Sequence, residues 1–377
     1  MIDDCSIAFE LFVLLNGLGA GTPALPTNYN GSAMTLQPDI LFHRYFQSEK
    51  RSSMDRKHYK GKKDLETLTD PLRLWLVKIQ ESLNESLNDE QDIPDHVKHP
   101  PFHLDFIDDC CVPNAVAFLS DGYSFIGITM TLIFTMWEVC IRLCRSEAVA
   151  MVLGVEPPTE VCGPLHALLS QIQHRFIVSH EYTHHVHGHL LSESAESAFY
   201  NEVVSDDSRS IEEQAFEVAA DGYAVFQVLA NLVDGNWRSQ AVALLKLDKA
   251  SAGVQDQALF SCFVIAIGGY LFSRRPDAVD NANIYKLGHP PQVARMDYIM
   301  RQVVKWSKAS HPSLTGQITP ERFQEIMHAV AAAIFEMNGK NDWVTQTVFL
   351  RSESGSKYLK KLDTSVQRLI QTLGSRQ

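Results

Sequence analysis

The sequence lacks the features that mark several common classes of protein. It has no excess of positive charge: 33 lysines and arginines face 45 aspartates and glutamates, which gives a formal net charge of −12. Because binding to a phosphate backbone needs a basic surface, we expect no nucleic acid among the partners. One local basic run, at 49–63, is more typical of a solvated loop. Internal repeats are also absent from the sequence.

Cysteines are few and irregularly spaced. The seven thiols form neither a CxxC pair nor a regular disulfide framework. Several lie in apolar stretches, where a free cysteine behaves as a small hydrophobic residue. This usage predicts free thiols in a reducing compartment.

Neither apolar stretch of the sequence fits a secretory signal or a membrane span. The stretch at 7–18 follows Asp3 and Asp4, whereas a signal peptide carries positive charge before its apolar part. The stretch at 123–137 is stopped by Glu138, so it is shorter than the roughly 20 residues that cross a bilayer. We therefore expect a cytoplasmic protein with no membrane span.

The overall composition is typical of a globular protein. Of 377 residues, 45% are hydrophobic and 21% are charged, which is enough apolar material for a sizeable core. Prolines at 94, 100 and 101 indicate a boundary. We predict an N-terminal helical and irregular region at 1–100, a core domain at 101–310 and a C-terminal helical region at 311–377.

The periodicity of apolar residues predicts a few strands followed by many helices. A strand is predicted at 102–107, where apolar and polar residues alternate, and two more are predicted at 115–119 and 123–128, with a Ser-Asp-Gly turn between them. Helices are predicted at 71–87, 130–144, 164–191, 211–232, 255–272, 291–307, 321–337 and 357–373. This order indicates an α+β fold that is mostly helical and has a small antiparallel sheet.

One of the predicted helices carries the metal-binding pattern HExxH. The segment HEYTH at 180–184 places His180 and His184 four residues apart, so that both imidazoles lie on one helical face and can reach one metal ion. Glu181 lies beside them, where it can take a proton from a water molecule that the metal activates. The pattern indicates a catalytic zinc site, which needs a third protein ligand.

The sequence favours Glu217 as that third ligand. The metzincin pattern would need a histidine where Leu190 stands, and its glycine falls one place late, at Gly188. On the later predicted helix, Glu217 and Asp221 share one face within an apolar stretch. An amphipathic helix with its acids in water would explain them less well, because their neighbours are apolar. Asp221 can accept the outer N–H of a ligating histidine.

These segments resemble a known family of enzymes. HEYTHHVHGH followed by EVAAD is similar to the HExxH…ExxxD signature of the gluzincin zinc metallopeptidases, in particular the M48-type family. NAVAF at 114–118 and HPP at 289–291 with Arg295 resemble two further elements of that family, and the likeness covers 102–297. The sequence lacks the transmembrane helices of the membrane members, and in this respect it also resembles the soluble phage-exclusion (Lit-like, U49) peptidases.

The resemblance implies a zincin-type fold with Zn²⁺ as cofactor and a protein or peptide as substrate. In the family, the strand that would contain Asn114, Ala115 and Ala117 lies at the edge of the sheet and pairs with the extended substrate. The histidine of the HPP element, His289 here, helps to stabilise the oxyanion. The core at 101–310 would then be a zincin-like metallopeptidase domain.

The remaining polar candidates are interpreted as structural. His187 lies seven residues beyond His180 and could face the metal as an extra ligand, but we expect a structural role. His185 and His189 are expected to point away from the site. Tyr223 follows Asp221 by two residues and is expected to pack in the core. The histidines that precede the motif, His166 and His174, are interpreted as ordinary helix residues.

The sequence thus predicts a zinc-dependent endopeptidase, and the resemblance implies a role in phage or stress defence. An alternative is a metal-stabilised sensor or interaction protein with a vestigial protease site, although a structural site has no use for Glu181 as a base. A zinc deaminase is disfavoured because the sequence has no P-C-x-x-C. An always-active cytoplasmic protease would be hazardous, so we expect restraint by an activating or inhibiting protein partner, an inducer or the N-terminal region.

Overall fold

The computed structural model describes residues 37–48, 57–89, 100–155, 163–191, 199–201, 211–274, 279–315, 318–334 and 343–374. The N-terminal apolar stretch at 7–18, most of the basic run and Pro94 lie outside these residues.

The described part of the chain has five strands and thirteen α-helices. The strands are β1 (Tyr59–Lys62), β2 (Phe102–Asp109), β3 (Ala115–Ser120), β4 (Tyr123–Thr129) and β5 (Phe199–Asn201). The helices are α1 (Pro38–Gln47), α2 (Asp70–Asp89), α3 (Met130–Arg145), α4 (Glu147–Leu153), α5 (Pro164–Val186), α6 (Ile211–Leu229), α7 (Trp237–Leu244), α8 (Ala252–Ser273), α9 (Gln292–Ser310), α10 (Pro312–Thr315), α11 (Pro320–Ile334), α12 (Trp343–Arg351) and α13 (Glu353–Gly374). The predicted α+β, mostly helical class is confirmed.

The sheet is mixed, whereas the sequence predicted an antiparallel one. Its strand order is β1-β2-β4-β3-β5. The hairpin from β3 to β4 pairs antiparallel, with Ala115 opposite Ile128, and β4 lies beside β2. Strand β3 runs opposite to β4, and β4 runs in the same direction as β2. These two neighbours therefore pair parallel, with Phe102 opposite Ser124. The sequence pattern predicts where the strands lie, but it does not show whether β3 or β4 pairs with β2.

Local sequence signals explain where the helices around the site begin and end. The Thr129 hydroxyl accepts a hydrogen bond from the Leu132 amide and so caps α3. Helix α5 begins with Pro164 at its first position, where a missing N–H has no cost. The helix ends at Val186, five residues earlier than predicted, because Gly188 adopts φ +68° and turns the chain.

The described parts of the predicted N-terminal region pack directly on the core. Strand β1 pairs with β2, and Phe42, Phe46 and Tyr59 share one hydrophobic cluster with Phe118 and Phe125 of the sheet. Helix α2 adds a row of side chains to the main core: Trp75, Leu76, Ile79, Leu83 and Leu87. Position 100 therefore does not separate two packing units in this part of the chain.

The C-terminal helices pack on α6. Tyr358, Leu362 and Val366 of α13 form a cluster with Ile211 and Val218. The Tyr358 hydroxyl also donates a hydrogen bond of 2.6 Å to the Gln214 side chain. The predicted region at 311–377 thus supports the helix that carries Glu217.

Helix α8 is the one helix among the described residues that is both long and strongly apolar. By length and composition it could cross a membrane, but 83% of its most apolar window is buried inside the protein. Its buried side chains join the main core with those of α3 and α5. Cys140, Cys144 and Cys262 lie buried here as free thiols, whereas the free thiols of Cys110 and Cys111 are exposed.

Candidate metal centre

Three side chains converge where α5 packs against α6. His180 and His184 lie one turn apart on α5, and Glu217 projects from α6. Their exposed fractions are 2%, 1% and 1%. Among the described residues, these three form a group whose ligand atoms all lie within 4.8 Å of one another. The structure therefore brings together the three predicted ligands.

The distances within this group suit a tetrahedral metal ion. The two histidine Nε2 atoms are 3.2 Å apart, and the Glu217 carboxylate oxygens lie 3.3 Å from His180 Nε2 and 3.5 Å from His184 Nε2. Ligands held tetrahedrally at about 2.0–2.1 Å from zinc lie roughly 3.3–3.4 Å from one another. The two carboxylate distances are to different oxygens, Oε2 and Oε1, so both oxygens lie near the imidazole nitrogens. Ligand atoms that converge in this way in a buried space fit a cation at their centre, so this group could hold a metal ion.

Asp221 orients the first histidine. Its Oδ1 atom accepts a hydrogen bond of 3.0 Å from His180 Nδ1, which leaves the lone pair of Nε2 facing the centre of the group. Burial would raise the pKa of Asp221, but the charge and hydrogen bonds of Arg295 lower it below its usual range. The predicted outer-shell position of Asp221 is where the structure places it.

Arg295 fixes Asp221 from the other side, a role that the sequence analysis did not assign. Its Nε atom donates to Oδ2 at 2.8 Å and its Nη2 atom donates to Oδ1 at 2.7 Å. The guanidinium is 2% exposed, so this is a buried two-point ion pair. Arg295 lies close to the HPP element in the sequence, which was the one signal that it belongs to the site. Its partner Asp221 lies 74 residues away in the sequence, so the pairing itself was not visible there.

His189 contacts the second histidine, contrary to the prediction that it points away. Its Nδ1 atom lies 3.0 Å from His184 Nδ1. The turn at Gly188 leads into a short 3₁₀ helix at His189–Leu191, and this change of direction brings the side chain back toward the site. If the helix had continued to residue 191, as predicted, the His189 side chain would point away from His184.

His289 lies beside the glutamate. Its Nδ1 atom is 3.1 Å from Glu217 Oε2, and its side chain is 16% exposed, so it borders both the buried group and solvent. Burial would raise the pKa of Glu217, but the charges of His289 and His184 hold it well below its usual range. The glutamate is therefore an anion, which is the form that ligates a metal.

The field of the two carboxylates favours positive charge at the site. Burial lowers the pKa of His180, yet its hydrogen bonds to Asp221 and Glu217 raise it to about 10. A group of this kind attracts either a proton or a cation, and the two compete for the same lone pair.

Glu181 lies between His180 and His184 in the sequence of α5, and it is buried, with an exposed fraction of 2%. Helix α5 is also attached to the sheet, because His185 Nε2 donates to the Phe125 carbonyl at 2.9 Å. His185 is thus structural, as predicted.

His187 caps the end of α5, and its ring packs against Tyr223 at 5.3 Å between centroids. Neither His187 nor Tyr223 belongs to the metal-binding group.

The predicted substrate strand is paired on both sides. Ala115 and Ala117 lie in β3, but Ala117 is opposite Tyr200 of β5 as well as Ile126 of β4. β3 is therefore not the edge of the described sheet. Asn114 precedes the strand and donates a side-chain hydrogen bond of 3.0 Å to the Tyr59 hydroxyl, so it anchors the N-terminal part of the fold.

Comparison with protein-family models, curated proteins and solved structures finds no match to this chain.

Proposed function

We propose that the protein is a zinc-dependent endopeptidase of the gluzincin type. The observation that carries this proposal is the convergence of His180, His184 and Glu217, whose ligand atoms all lie within 4.8 Å of one another, with Glu181 buried next to the first histidine. Two imidazoles with one carboxylate form the ligand set of catalytic zinc in several metallopeptidases. Magnesium and calcium prefer oxygen ligands, so two nitrogen atoms favour zinc.

Three candidate ligands converge among the described residues, and this number supports a catalytic site over a structural one. Structural zinc sites have four protein ligands, whereas catalytic sites have three and leave one position open. His289 is near Glu217 but stands outside the group of mutually close ligand atoms. The alternative of a metal-stabilised sensor would gain support if His289 became a fourth ligand.

A zinc ion bound at this group would supply Lewis-acid activation of water and of a peptide carbonyl. The chain's own residues would do the rest. Glu181 would accept the proton of the attacking water and pass it to the leaving amine. His289, at the solvent side of Glu217, would donate to the developing oxyanion. Asp221 and Arg295 would hold His180 in the tautomer that ligates.

The substrate proposed for this site is an extended polypeptide. Such a segment would add to the sheet along β3 by main-chain hydrogen bonds. In this structure β5 pairs with Val116, Ala117 and Phe118 of that strand. A substrate that binds along β3 would have to displace β5, so the chain itself would restrain the site. Under this proposal, β5 rather than the N-terminal region would supply the expected restraint.

The test is cleavage of fluorophore-quenched casein by the zinc-loaded protein and by its Glu181→Gln variant. General-base catalysis contributes roughly 10²–10⁴-fold, so the variant is expected to lose at least a hundredfold in rate while it keeps its metal. A matched control is Glu212→Gln, which changes an exposed carboxylate at the start of α6. Equal cleavage by wild type and Glu181→Gln would remove Glu181 from the mechanism. If neither protein cuts casein or a random peptide library, the sensor alternative would replace the proposal.

A further inference from the structure

The two candidate histidine ligands differ in the group that faces their outer ring nitrogen. His180 Nδ1 lies 3.0 Å from the Asp221 carboxylate, whereas His184 Nδ1 lies 3.0 Å from Nδ1 of another imidazole, His189. A ligating histidine usually hydrogen-bonds through its outer nitrogen to a carboxylate, a carbonyl or a water molecule, and this partner fixes the orientation and the tautomer of the ring. His189 therefore occupies the place where such a partner of His184 belongs.

The position of one proton decides which of these two imidazoles donates. His184 Nε2 faces the candidate metal group, 3.2 Å from His180 Nε2. A neutral imidazole that ligates through Nε2 carries its proton on Nδ1, so His184 is the donor and His189 Nδ1 is the acceptor. With its Nδ1 atom occupied in this way, His189 is not a further ligand, and it does not belong to the group of mutually close ligand atoms.

The His189 ring contacts both helices that supply ligands. It touches His184 of α5, and its centroid lies 4.4 Å from that of Phe216 of α6, with an angle of 34° between the rings. Phe216 directly precedes Glu217 in the sequence of α6. The exposed fraction of His189 is 1%, so this imidazole fills the space between α5 and α6 beside the candidate ligands.

The turn that follows α5 presents this ring at a defined place. Gly188 adopts φ +68°, a conformation that a residue with a side chain rarely takes. The His187 amide donates to the Thr183 carbonyl at 3.0 Å, and the Gly188 amide donates to the His185 carbonyl at 3.1 Å. The short 3₁₀ helix at His189–Leu191 starts directly after this turn. The backbone on both sides of the turn is therefore held by hydrogen bonds.

We propose that His189 is the positioning residue of the second metal ligand, as Asp221 is of the first. Its Nδ1 atom accepts the Nδ1–H of His184 and so keeps the lone pair of His184 Nε2 directed toward the metal. This inference rests on the metal site of the proposed function, but it does not require that the site cleaves peptides.

The test compares zinc binding by His189→Leu and His189→Asn in the full-length protein, by competition with a chromophoric chelator. The two new side chains have similar size and shape, but only asparagine places an oxygen acceptor near the former Nδ1 atom. Because loss of an outer-shell partner lowers metal affinity by about 10–100-fold, His189→Leu should lose this factor. His189→Asn should keep most of the wild-type affinity. A role in packing alone predicts the opposite order, since leucine suits a buried contact with Phe216 better than an amide does.

A second measurement follows the shared proton itself. In the cobalt-loaded protein, the Nδ1–H of each ligating imidazole gives a strongly shifted proton NMR signal that is lost after exchange into heavy water. Wild type and His189→Asn should show one slowly exchanging signal for each of the two ligating histidines, because both protons are hydrogen-bonded and buried. One of the two signals should broaden or disappear in His189→Leu. A single slowly exchanging signal in wild type would overturn the proposal without any variant.

The matched control is His187→Leu, which removes an imidazole from the same turn. The His187 ring packs on Tyr223 outside the metal group, so this variant should leave zinc affinity unchanged. Equal zinc affinity of wild type and a His189→Leu variant that is folded by circular dichroism would overturn the proposal. Zinc binding by His189→Leu as tight as that by His189→Asn, or an equal loss in His187→Leu, would do the same.

These outcomes are distinguishable from failure of the proposed function. Each of them leaves the three candidate ligands in place and removes only the role of His189. Wild-type protein that binds no zinc would remove the metal site and this inference together. The expected order of zinc affinities in a protein that cuts neither casein nor a peptide library would support the role of His189 and remove only the peptidase activity.

Discussion

At the residue scale, the ion pair of Asp221 and Arg295 connects three parts of the chain. Asp221 belongs to α6, Arg295 belongs to α9, and His180, which hydrogen-bonds to the same carboxylate, belongs to α5. All three side chains are buried. A buried pair of this kind contributes little net stability when it is intact, but removal of one partner leaves a buried charge uncompensated. The pair therefore makes the orientation of His180 sensitive to Arg295, which is not one of the three candidate ligands.

This arrangement predicts that substitutions of Arg295 and Asp221 have non-additive effects on the free energy of unfolding. Arg295→Met should lower the free energy of unfolding by about 3–5 kcal/mol, because Asp221 is left charged and buried. The double variant Arg295→Met/Asp221→Asn should recover part of that loss, since the amide carries no charge. Urea unfolding of the metal-free proteins measures both. Additive losses in the double variant would show that the two side chains are not coupled.

His166 and His174 predict an acid-sensitive contribution to stability. Their pKa values are about 4 in the folded protein and near 6.5 when unfolded, so the unfolded chain binds more protons between those values. Their contribution is complete above about pH 6.5 and is lost as the pH falls toward 4. It amounts to at most about 3 kcal/mol for each imidazole.

The variant His166→Gln/His174→Gln should therefore lose less stability than wild type when the pH is lowered from about 7 to about 5. Urea midpoints at the two pH values give the comparison. If the two proteins lose stability in parallel, neither imidazole is held neutral by burial.

At the scale of elements, long periodic segments were predictable and short or turning ones were not. Helices α3, α6 and α8 were found to within a few residues because their apolar side chains repeat over several turns. β1 and β5 have only four and three residues, which is too few for alternation to be visible. The end of α5 depends on Gly188, which has a positive φ. The sequence shows the glycine but does not show that it ends the helix.

The pairing of β5 with β3 predicts that weakening β5 increases peptidase activity. The variant Phe199→Pro/Tyr200→Pro removes two adjacent N–H groups, one of which faces β3 in an antiparallel ladder. Its rate of casein cleavage should exceed that of wild type, because the substrate no longer competes with β5. The control Phe199→Ala/Tyr200→Ala keeps both N–H groups. A rate unchanged or reduced in the proline variant, with the fold intact by circular dichroism, would contradict self-restraint by β5.

At the scale of the whole molecule, the site depends on contacts between distant parts of the sequence. The spacing of His180 and His184 was sufficient to predict that they share a face, and the apolar setting of Glu217 was sufficient to predict its burial. The contact between Asp221 and Arg295 was not predictable, because it arises only when α6 and α9 pack together. The support of α6 by α13 and of the sheet by β1 likewise comes from tertiary packing that no local pattern encodes.

The central claim, a metal ion held by three ligands from α5 and α6, is tested most directly by metal content. The full-length protein, purified without a histidine tag or chelators, is analysed by mass spectrometry beside Glu217→Ala and the control Glu212→Ala. We predict about one zinc per chain in wild type and in Glu212→Ala, and a much lower content in Glu217→Ala, since a three-ligand site would lose one ligand. Wild-type protein without bound metal, or full retention of zinc by Glu217→Ala, would contradict the claim.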